Sequence, residues 1–219
     1  MAPGAAVKWH DEVLDASGLE AAGRLAKAAG RDFYLAGGTA LGLRVGHRIS
    51  LDLDLFSADN RLNESQREAL VDQLKASGPI SIQTAKDGTC HFLLKSTSVS
   101  ICHYPYVLKA KTDVWRGLKV ASFDDIGAMK VSAIIGRGLR KDFIDLRRIC
   151  DEIGLEKVLA TCVKKFSDSP DFFLQAARAL VDFNDAEKEP MPRLLEPLGW
   201  EDIKLYFESE ARKAFKKRL

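Results

Sequence analysis

One stretch near the start of the chain, residues 33–57, constrains the fold more than any other. A short apolar run ends at the glycine pair Gly37-Gly38, and an apolar segment of helix length follows. The stretch closes on a run in which leucine alternates with Asp52 and Asp54. Because successive side chains of a strand point to opposite faces, this alternation predicts a strand with both carboxylates on one face. The stretch therefore predicts a strand, a glycine turn, a helix and a second strand in close succession.

Two neighbouring carboxylates on one strand face repel each other, so they must be solvated, protonated or neutralised by a cation. Hard oxygen ligands suit Mg²⁺, which keeps several waters and takes substrate phosphates as further ligands. The alternative is a half-exposed edge strand whose polar face carries two aspartates. The glycines favour the metal site, because Gly37, Gly38 and Thr39 open a helix whose free N–H groups and positive dipole end attract anions. A phosphate cradle and a carboxylate pair are the two parts needed to hold a nucleoside triphosphate.

A polar elbow, His47-Arg48-Ile49-Ser50, joins this helix to the Asp-x-Asp strand. In order, spacing and residue type, the whole pattern resembles the polymerase-β-type nucleotidyltransferase superfamily and, within it, the AbiEii/AbiGii-type toxin family. The resemblance covers roughly residues 30–150. It implies an α+β protein with the polymerase-β-like nucleotidyltransferase fold, in which a mixed twisted sheet is flanked by helices and followed by a helical C-terminal part.

A second block of the resemblance lies further along the chain. Lys130 is the single lysine inside an almost wholly apolar helix, residues 125–135, where such a side chain either reaches the surface or forms an ion pair. The next segment, residues 137–146, carries Asp142 and Asp145 on one helical face and is similar to a block of the toxin family. The resemblance implies that Lys130 reaches the triphosphate, and that Asp142 orients Lys130 or an acceptor hydroxyl or acts as a base. The alternative for Asp142 is a carboxylate favoured by the helix dipole.

The resemblance also implies a reaction, the magnesium-dependent transfer of a nucleoside monophosphate from an NTP to an acceptor hydroxyl with release of pyrophosphate. The acceptor is implied to be tRNA or another cellular target, and the protein a toxin of a toxin–antitoxin or abortive-infection system with a cognate antitoxin. The implied catalytic residues are Asp52, Asp54, Lys130 and Asp142, of which the first two hold the metal. The implied nucleotide-binding residues are Gly37, Gly38, Thr39, Arg48 and Ser50, with Arg48 contacting phosphate and Ser50 the nucleotide.

The pattern departs from polymerase-like relatives at one point. Those relatives usually carry a third carboxylate on a strand after Asp-x-Asp, and the strand predicted at residues 99–104 has none. Two carboxylates hold a second metal ion less well, so we expect a single metal ion or a coordination sphere completed by substrate. Two other functions stay open: an enzyme of this fold that modifies a small molecule, as aminoglycoside nucleotidyltransferases do, and a nucleotide-binding protein that has lost turnover.

The predicted elements divide the chain into a nucleotidyltransferase core, residues 1–121, and a helical region, residues 122–219, that completes the active site. A long helix is predicted at residues 9–29, and the lysine-containing segment between Tyr106 and Ser122 is predicted as a loop. Strands are predicted at residues 80–84, 89–94 and 99–104.

Cysteine content and the chain terminus bear on location. Two pairs, Cys90-His91 and Cys102-His103, offer zinc ligands. Adjacent strand residues face opposite sides, however, so one pair can give only one ligand to each side, which favours buried free thiols in a reducing cytosol.

Residues 1–6 lack the features of a secretory signal, and no apolar run approaches membrane-spanning length. We therefore expect a soluble, cytoplasmic protein.

Charge gives little support for a nucleic-acid-binding surface. The chain has 33 lysines and arginines against 31 aspartates and glutamates, a net charge of +2. Any nucleic-acid contact must therefore come from a local patch. The candidates are four arginines and a basic C-terminus: Arg137, Arg140, Arg147, Arg148 and residues 211–218.

Overall fold

The computed structural model describes residues 7–216. The N-terminal residues 1–6 and the last basic residues, 217 and 218, on which two sequence predictions rest, lie outside that range. The described chain divides into two compact units. One unit runs to Val107 and includes Lys111–Ala121; the other consists of Leu108–Ala110 and the chain from Ser122 onward.

The first unit is a mixed sheet with helices. Its helices are the short 3-10 helix Asp11–Val13, α1 Ala16–Ala28, α2 Gly37–Val45 and α3 Glu64–Ala76. Its strands are β1 Tyr34–Ala36, β2 Asp52–Ser57, β3 Ser81–Lys86, β4 Thr89–Leu94, β5 Thr97–His103, β6 Asp113–Trp115 and β7 Leu118–Val120. They form one sheet in the order β3-β4-β5-β2-β1-β7-β6, in which β2 pairs antiparallel with β1 and parallel with β5. With the helices of the second unit, this confirms the predicted α+β class.

Along the central strand β2, buried and more exposed side chains alternate, as the sequence predicted. On β2, Leu53 and Leu55 are fully buried, as are Val99 and Ile101 on the neighbouring β5. The opposite face of β2 carries Asp52, which is exposed, and the half-buried Asp54. One face of the strand therefore belongs to the hydrophobic core, and the other presents the two carboxylates.

Two predictions in this unit are wrong. The segment predicted as a loop contains the β6–β7 hairpin, whose turn residues Arg116 and Gly117 have φ of 47° and 86°. Burial of Trp115, whose indole N–H donates to Asp11 at 2.7 Å, stabilises that hairpin. The helix predicted from residue 9 begins only at Ala16, because Asp15 caps its first turn by accepting the Gly18 N–H at 2.7 Å.

The second unit is helical. Its helices are α4 Phe123–Gly136, α5 Arg140–Ile153, α6 Leu155–Lys165, α7 Phe172–Ala179, α8 Asn184–Glu187 and α9 Trp200–Lys216. The Ser122 hydroxyl caps α4 by accepting the Asp125 N–H at 3.1 Å. The core centres on the ring of Phe143, which packs edge-on against Trp200 and Phe207 with ring centroids 6.0 and 5.7 Å apart.

A buried ion pair joins α6 to the start of α4. Lys165 Nζ lies 2.8 Å from Asp125 Oδ1, and both side chains have no exposed surface. The carboxylate of Asp125 also accepts the backbone N–H groups of Lys109 and Ala110 at 3.0 Å. These contacts compensate the cost of burying both charges, so the ion pair between Lys165 and Asp125 is explained by its structural role.

Of the helices between residues 7 and 216, none combines the length and the hydropathy that a membrane-spanning segment requires.

Candidate functional site

The glycine turn and the Asp-x-Asp strand meet in the structure. Strand β1 passes directly into α2, with Gly37 at φ +70°. Ala36 is the register partner of Asp54 on β2. A Cβ atom on Gly37 would lie 3.0 Å from Asp54 Oδ2, so the absence of a side chain lets the carboxylate approach the start of the helix. The two sequence features predicted to act together are therefore neighbours.

The start of α2 is suited to an anion. Its N-cap residue, Ala36, makes no side-chain hydrogen bond to the first turn, and no acidic residue occupies that turn. The first N–H groups of a helix have no partner within the helix, and they lie at the positive end of its dipole. Gly37 and Gly38 leave these groups accessible, since neither carries a side chain and both are half-buried rather than enclosed.

The side chains of Thr39 and Ser50 bond to each other. Their hydroxyl oxygens are 2.7 Å apart, and the Thr39 hydroxyl also donates to the carbonyl of Asp52. Both residues are buried, at 2% and 7% exposed. This contact ties the first turn of α2 to the elbow and to the start of β2. The two hydroxyls thus fix the position of the glycine turn relative to the Asp-x-Asp strand.

Arg48, the other elbow residue predicted to bind the nucleotide, is 6% exposed, and its guanidinium donates to the Ile49 carbonyl at 3.0 Å. Its predicted contact with phosphate stays a prediction.

Asp52 and Asp54 fit a divalent metal by their chemistry. They offer hard oxygen ligands on one strand face, next to a helix start that attracts phosphate. Among residues 7–216 there is no group of three or more His, Cys, Asp or Glu side chains arranged to hold a metal ion. A two-carboxylate site suits Mg²⁺, which completes its coordination with water and substrate oxygens.

The second unit contains a buried charge cluster of its own. Lys130 Nζ lies 2.9 Å from Asp142 Oδ1 and 2.6 Å from Asp145 Oδ2. Arg137 donates to both oxygens of Asp142, from Nε at 2.9 Å and from the terminal nitrogen at 3.1 Å. The two carboxylates are fully buried, and Lys130 is 5% exposed. Lys130 is therefore held by ion pairs between α4 and α5 rather than reaching the surface.

The pairing decides the protonation state of Asp142. Burial by itself would raise the pKa of this carboxyl, but the charge of Lys130 and the hydrogen bonds from Arg137 outweigh burial and hold the pKa below its ordinary value. Asp142 is therefore ionised at neutral pH, with both oxygens already accepting hydrogen bonds. This arrangement suits a carboxylate that orients Lys130 better than one that accepts a proton.

The arginines predicted as a phosphate-binding patch have partners within the second unit. Arg140 donates to the carbonyl of Ala186 at 2.9 Å and to Glu187. The guanidinium of Arg147 bonds Asp151, and that of Arg148 lies 3.0 Å from Glu196. These contacts account for the three side chains as surface ion pairs.

Comparison with known proteins identifies the family of this chain. Residues 22–114 match the family described as nucleotidyl transferase AbiEii toxin, type IV toxin–antitoxin system. A relative described as an uncharacterised protein of Aquifex aeolicus is 36% identical over 187 residues, which cover 83% of this chain and 87% of the relative. The chain belongs to the AbiEii nucleotidyl transferase toxin family. The family predicted from the glycine turn and the Asp-x-Asp strand is thereby confirmed.

Solved structures agree with the AbiEii assignment at the level of the fold. JHP933 from Helicobacter pylori has 20% identity and a TM-score of 0.57, over 93% of this chain and 94% of its own. The nucleotidyltransferase toxin MenT4 from Mycobacterium tuberculosis has 15% identity and a TM-score of 0.53, over 92% and 86%. The antibiotic-resistance factor ANT(2″)-Ia has 18% identity and a TM-score of 0.50, over 68% and 90%.

Sequence reasoning missed two polar side chains beside the Asp-x-Asp strand of this AbiEii protein. Ser100 on β5 is the register partner of Asp54, and His91 on β4 is the register partner of Ser100. His91 Nδ1 lies 3.0 Å from Ser100 Oγ. The alternation of β4 and β5 predicts which face each side chain takes, but only the strand pairing shows that both follow Asp54 on the same face.

Proposed function

We propose that this protein transfers a nucleoside monophosphate from an NTP to an acceptor hydroxyl, with Mg²⁺ and with release of pyrophosphate. The observation that carries the proposal is the approach of Asp54 Oδ2 to the Gly37 turn at the start of α2. One carboxylate of the pair then lies beside an uncapped helix start. Such a position matches a triphosphate, whose oxygens bind both a metal ion and backbone N–H groups.

In this proposal the first unit binds and orients the nucleotide. Asp52 and Asp54 hold Mg²⁺, and Gly37 and Gly38 donate backbone hydrogen bonds to phosphate oxygens. When bound, the metal neutralises charge that develops on the phosphate oxygens during transfer. Thr39 acts through its contacts with Ser50 and the Asp52 carbonyl, because that bonding fixes the spacing between the helix start and the carboxylates.

We also propose Lys130 as a catalytic residue, whose charge offsets that of the leaving pyrophosphate. Its ion pairs with Asp142 and Asp145 fix the position of the ammonium group. Asp142 then serves as the group that positions Lys130, since its lowered pKa and its two cationic partners disfavour a role as a base.

The family gives the biological setting of the proposal. The family is described as a family of toxins, and we propose that the acceptor is tRNA or another cellular target. We propose further that the toxin acts in the cytoplasm, in a toxin–antitoxin or abortive-infection system with a cognate antitoxin.

Labelled substrates test the proposal directly. The protein is incubated with Mg²⁺, total cellular RNA, a small-molecule extract and each α-³²P-labelled NTP in turn, and the products are separated by size. Label in tRNA supports the proposal, whereas label in a small acceptor identifies a small-molecule nucleotidyltransferase. Binding of an NTP without any transfer, measured by calorimetry, would contradict the proposed activity.

A further inference from the structure

A row of four register partners crosses the centre of the sheet. His91 on β4 pairs with Ser100 on β5, Ser100 with Asp54 on β2, and Asp54 with Ala36 on β1. Directly opposite residues in adjacent strands place their side chains on the same face of the sheet. Ser100 is therefore the side chain next to Asp54 on the side away from the glycine turn.

The ring of His91 is held at both nitrogens. Nδ1 lies 3.0 Å from Ser100 Oγ, and Nε2 lies 3.1 Å from Thr89 Oγ1. An imidazole with a partner at each nitrogen has a fixed ring orientation. The Ser100 hydroxyl is therefore held in one orientation, with a further hydrogen-bonding position left for another group, because a hydroxyl has one donor and two acceptor positions.

Strands β4 and β5 contribute no carboxylate beside Ser100. The sequences of β4 and β5, TCHFLL and TSVSICH, contain neither aspartate nor glutamate. On the same face of β5 the next side chain is Cys102, and burial raises the pKa of its thiol, which keeps it neutral. Ser100 and His91 are both half-buried, so the row is not sealed inside the core.

The two neighbours of Asp54 in this row suit two different substrates. The uncapped start of α2 lies on the β1 side and attracts phosphate. The β5 side carries the Ser100 hydroxyl, a neutral group that suits another hydroxyl. Resting on the proposed function, we propose that Ser100 binds the attacking hydroxyl of the acceptor and that His91 is its positioning residue.

The first test separates acceptor binding from nucleotide binding. For Ser100→Ala we expect the KM for total tRNA to rise by roughly 3- to 10-fold, the effect of one hydrogen bond, with the KM for the NTP unchanged. Ser100→Thr keeps the hydroxyl and should restore most of the loss. Calorimetry with Mg²⁺ and a non-hydrolysable NTP should give the same Kd for Ser100→Ala as for the wild type. A weaker Kd for the nucleotide, or an unchanged KM for tRNA, would overturn the assignment.

A pair of histidine variants tests the positioning role. The amide of Asn in His91→Asn replaces Nδ1 and keeps the hydrogen bond to Ser100, whereas the amide of Gln in His91→Gln replaces Nε2 and keeps only the bond to Thr89. We expect the Asn variant to keep the KM for tRNA and the Gln variant to match Ser100→Ala. His103→Asn, at a histidine of β5 on the opposite face, is the control and should change nothing in transfer.

The outcomes distinguish the inference from the proposed function. Loss of transfer in both His91 variants, with the thermal midpoint unchanged, would mean that the imidazole does more than position Ser100 and would overturn the positioning role. A wild-type protein that transfers label, with Ser100→Ala transferring equally well, overturns this inference alone. A wild-type protein that transfers no label to any acceptor overturns the proposed function and this inference together.

Discussion

Asp54 Oδ2 lies so close to the glycine turn that a Cβ atom on Gly37 would be 3.0 Å from it. A separation that short forces one of the two groups to move. The left-handed φ of +70° at Gly37 adds a second reason for glycine at this position. The same residue thus permits the turn into α2 and the approach of the carboxylate, and these two effects can be separated experimentally.

Gly37→Ala is predicted to displace Asp54 as well as strain the turn. A left-handed alanine costs about 1 kcal/mol in the free energy of unfolding. Gly30→Ala is the matched control, since Gly30 has φ +58° and an added Cβ would have no neighbour within 4 Å. We expect denaturant unfolding to show a loss of about 1 kcal/mol in both variants. Only Gly37→Ala should also weaken Mg²⁺-dependent NTP binding in calorimetry.

Equal nucleotide affinity in the two glycine variants would contradict the link between the turn and the carboxylate.

Asp52→Asn and Asp54→Asn are predicted to abolish nucleotidyl transfer while leaving the fold intact. Neutral amides are poor Mg²⁺ ligands compared with carboxylates, and their substitution also removes the repulsion between the two charges. We therefore expect Asp52→Asn to have a thermal midpoint equal to or above that of the wild type, and both variants to lose the labelled product. Asp59→Asn, in the exposed turn after β2, is the control and should keep full activity. Nucleotidyl transfer by either Asp52→Asn or Asp54→Asn would contradict the assignment of these two residues as metal ligands.

The glycine turn and the Asp-x-Asp strand follow from the sequence because their signals are local. A glycine pair before an apolar segment, and leucine alternating with Asp52 and Asp54, each act through a few neighbouring residues. The β6–β7 hairpin could not be predicted in that way, because its turn lacks the Asn-Gly or Asp-Gly signal typical of such turns. Its stability depends on the burial of Trp115 and on the parallel pairing of β7 with β1, which are long-range contacts.

The charge cluster of the second unit shows the same limit. An isolated lysine in an apolar helix indicates an ion pair or a route to the surface, and the sequence does not decide between them. The structure decides, since Asp142 and Asp145 both reach Lys130. Likewise, the row from Asp54 through Ser100 to His91 depends on strand register, which alternation within each strand leaves undetermined.

Lys130→Met is predicted to reduce both stability and transfer, and Lys165→Met to reduce stability alone. Each lysine is buried against carboxylates, so each substitution removes a cationic partner from buried carboxylates, at a cost of about 3–5 kcal/mol. The two variants are compared by urea denaturation and then assayed at a temperature where both are folded. We expect Lys130→Met to lose transfer at that temperature and Lys165→Met to keep it. Equal activity in the two folded variants would assign Lys130 to the structure rather than to the reaction.

Acidification is predicted to destabilise the second unit through Asp142. The pKa of this carboxyl is lowered in the folded protein from its ordinary value of 3.8, so its contribution to stability is complete above that value. The contribution is lost as the pH falls through the lower pKa of the folded state, because the folded protein must then bind a proton that the unfolded chain has already bound. Asp142→Asn should therefore reduce the free energy of unfolding by about 1–3 kcal/mol at pH 7 and by progressively less below pH 4.

Urea denaturation between pH 7 and pH 3 measures this difference, with Asp59→Asn as the control for loss of one carboxylate. The expected result is that the curves of the wild type and Asp142→Asn converge on acidification, whereas Asp59→Asn follows the wild type throughout. A constant separation between the first two curves would mean that the charge on Asp142 contributes nothing beyond its packing. Convergence would instead show that its ion pairs with Lys130 and Arg137 stabilise the second unit only while the carboxylate is ionised.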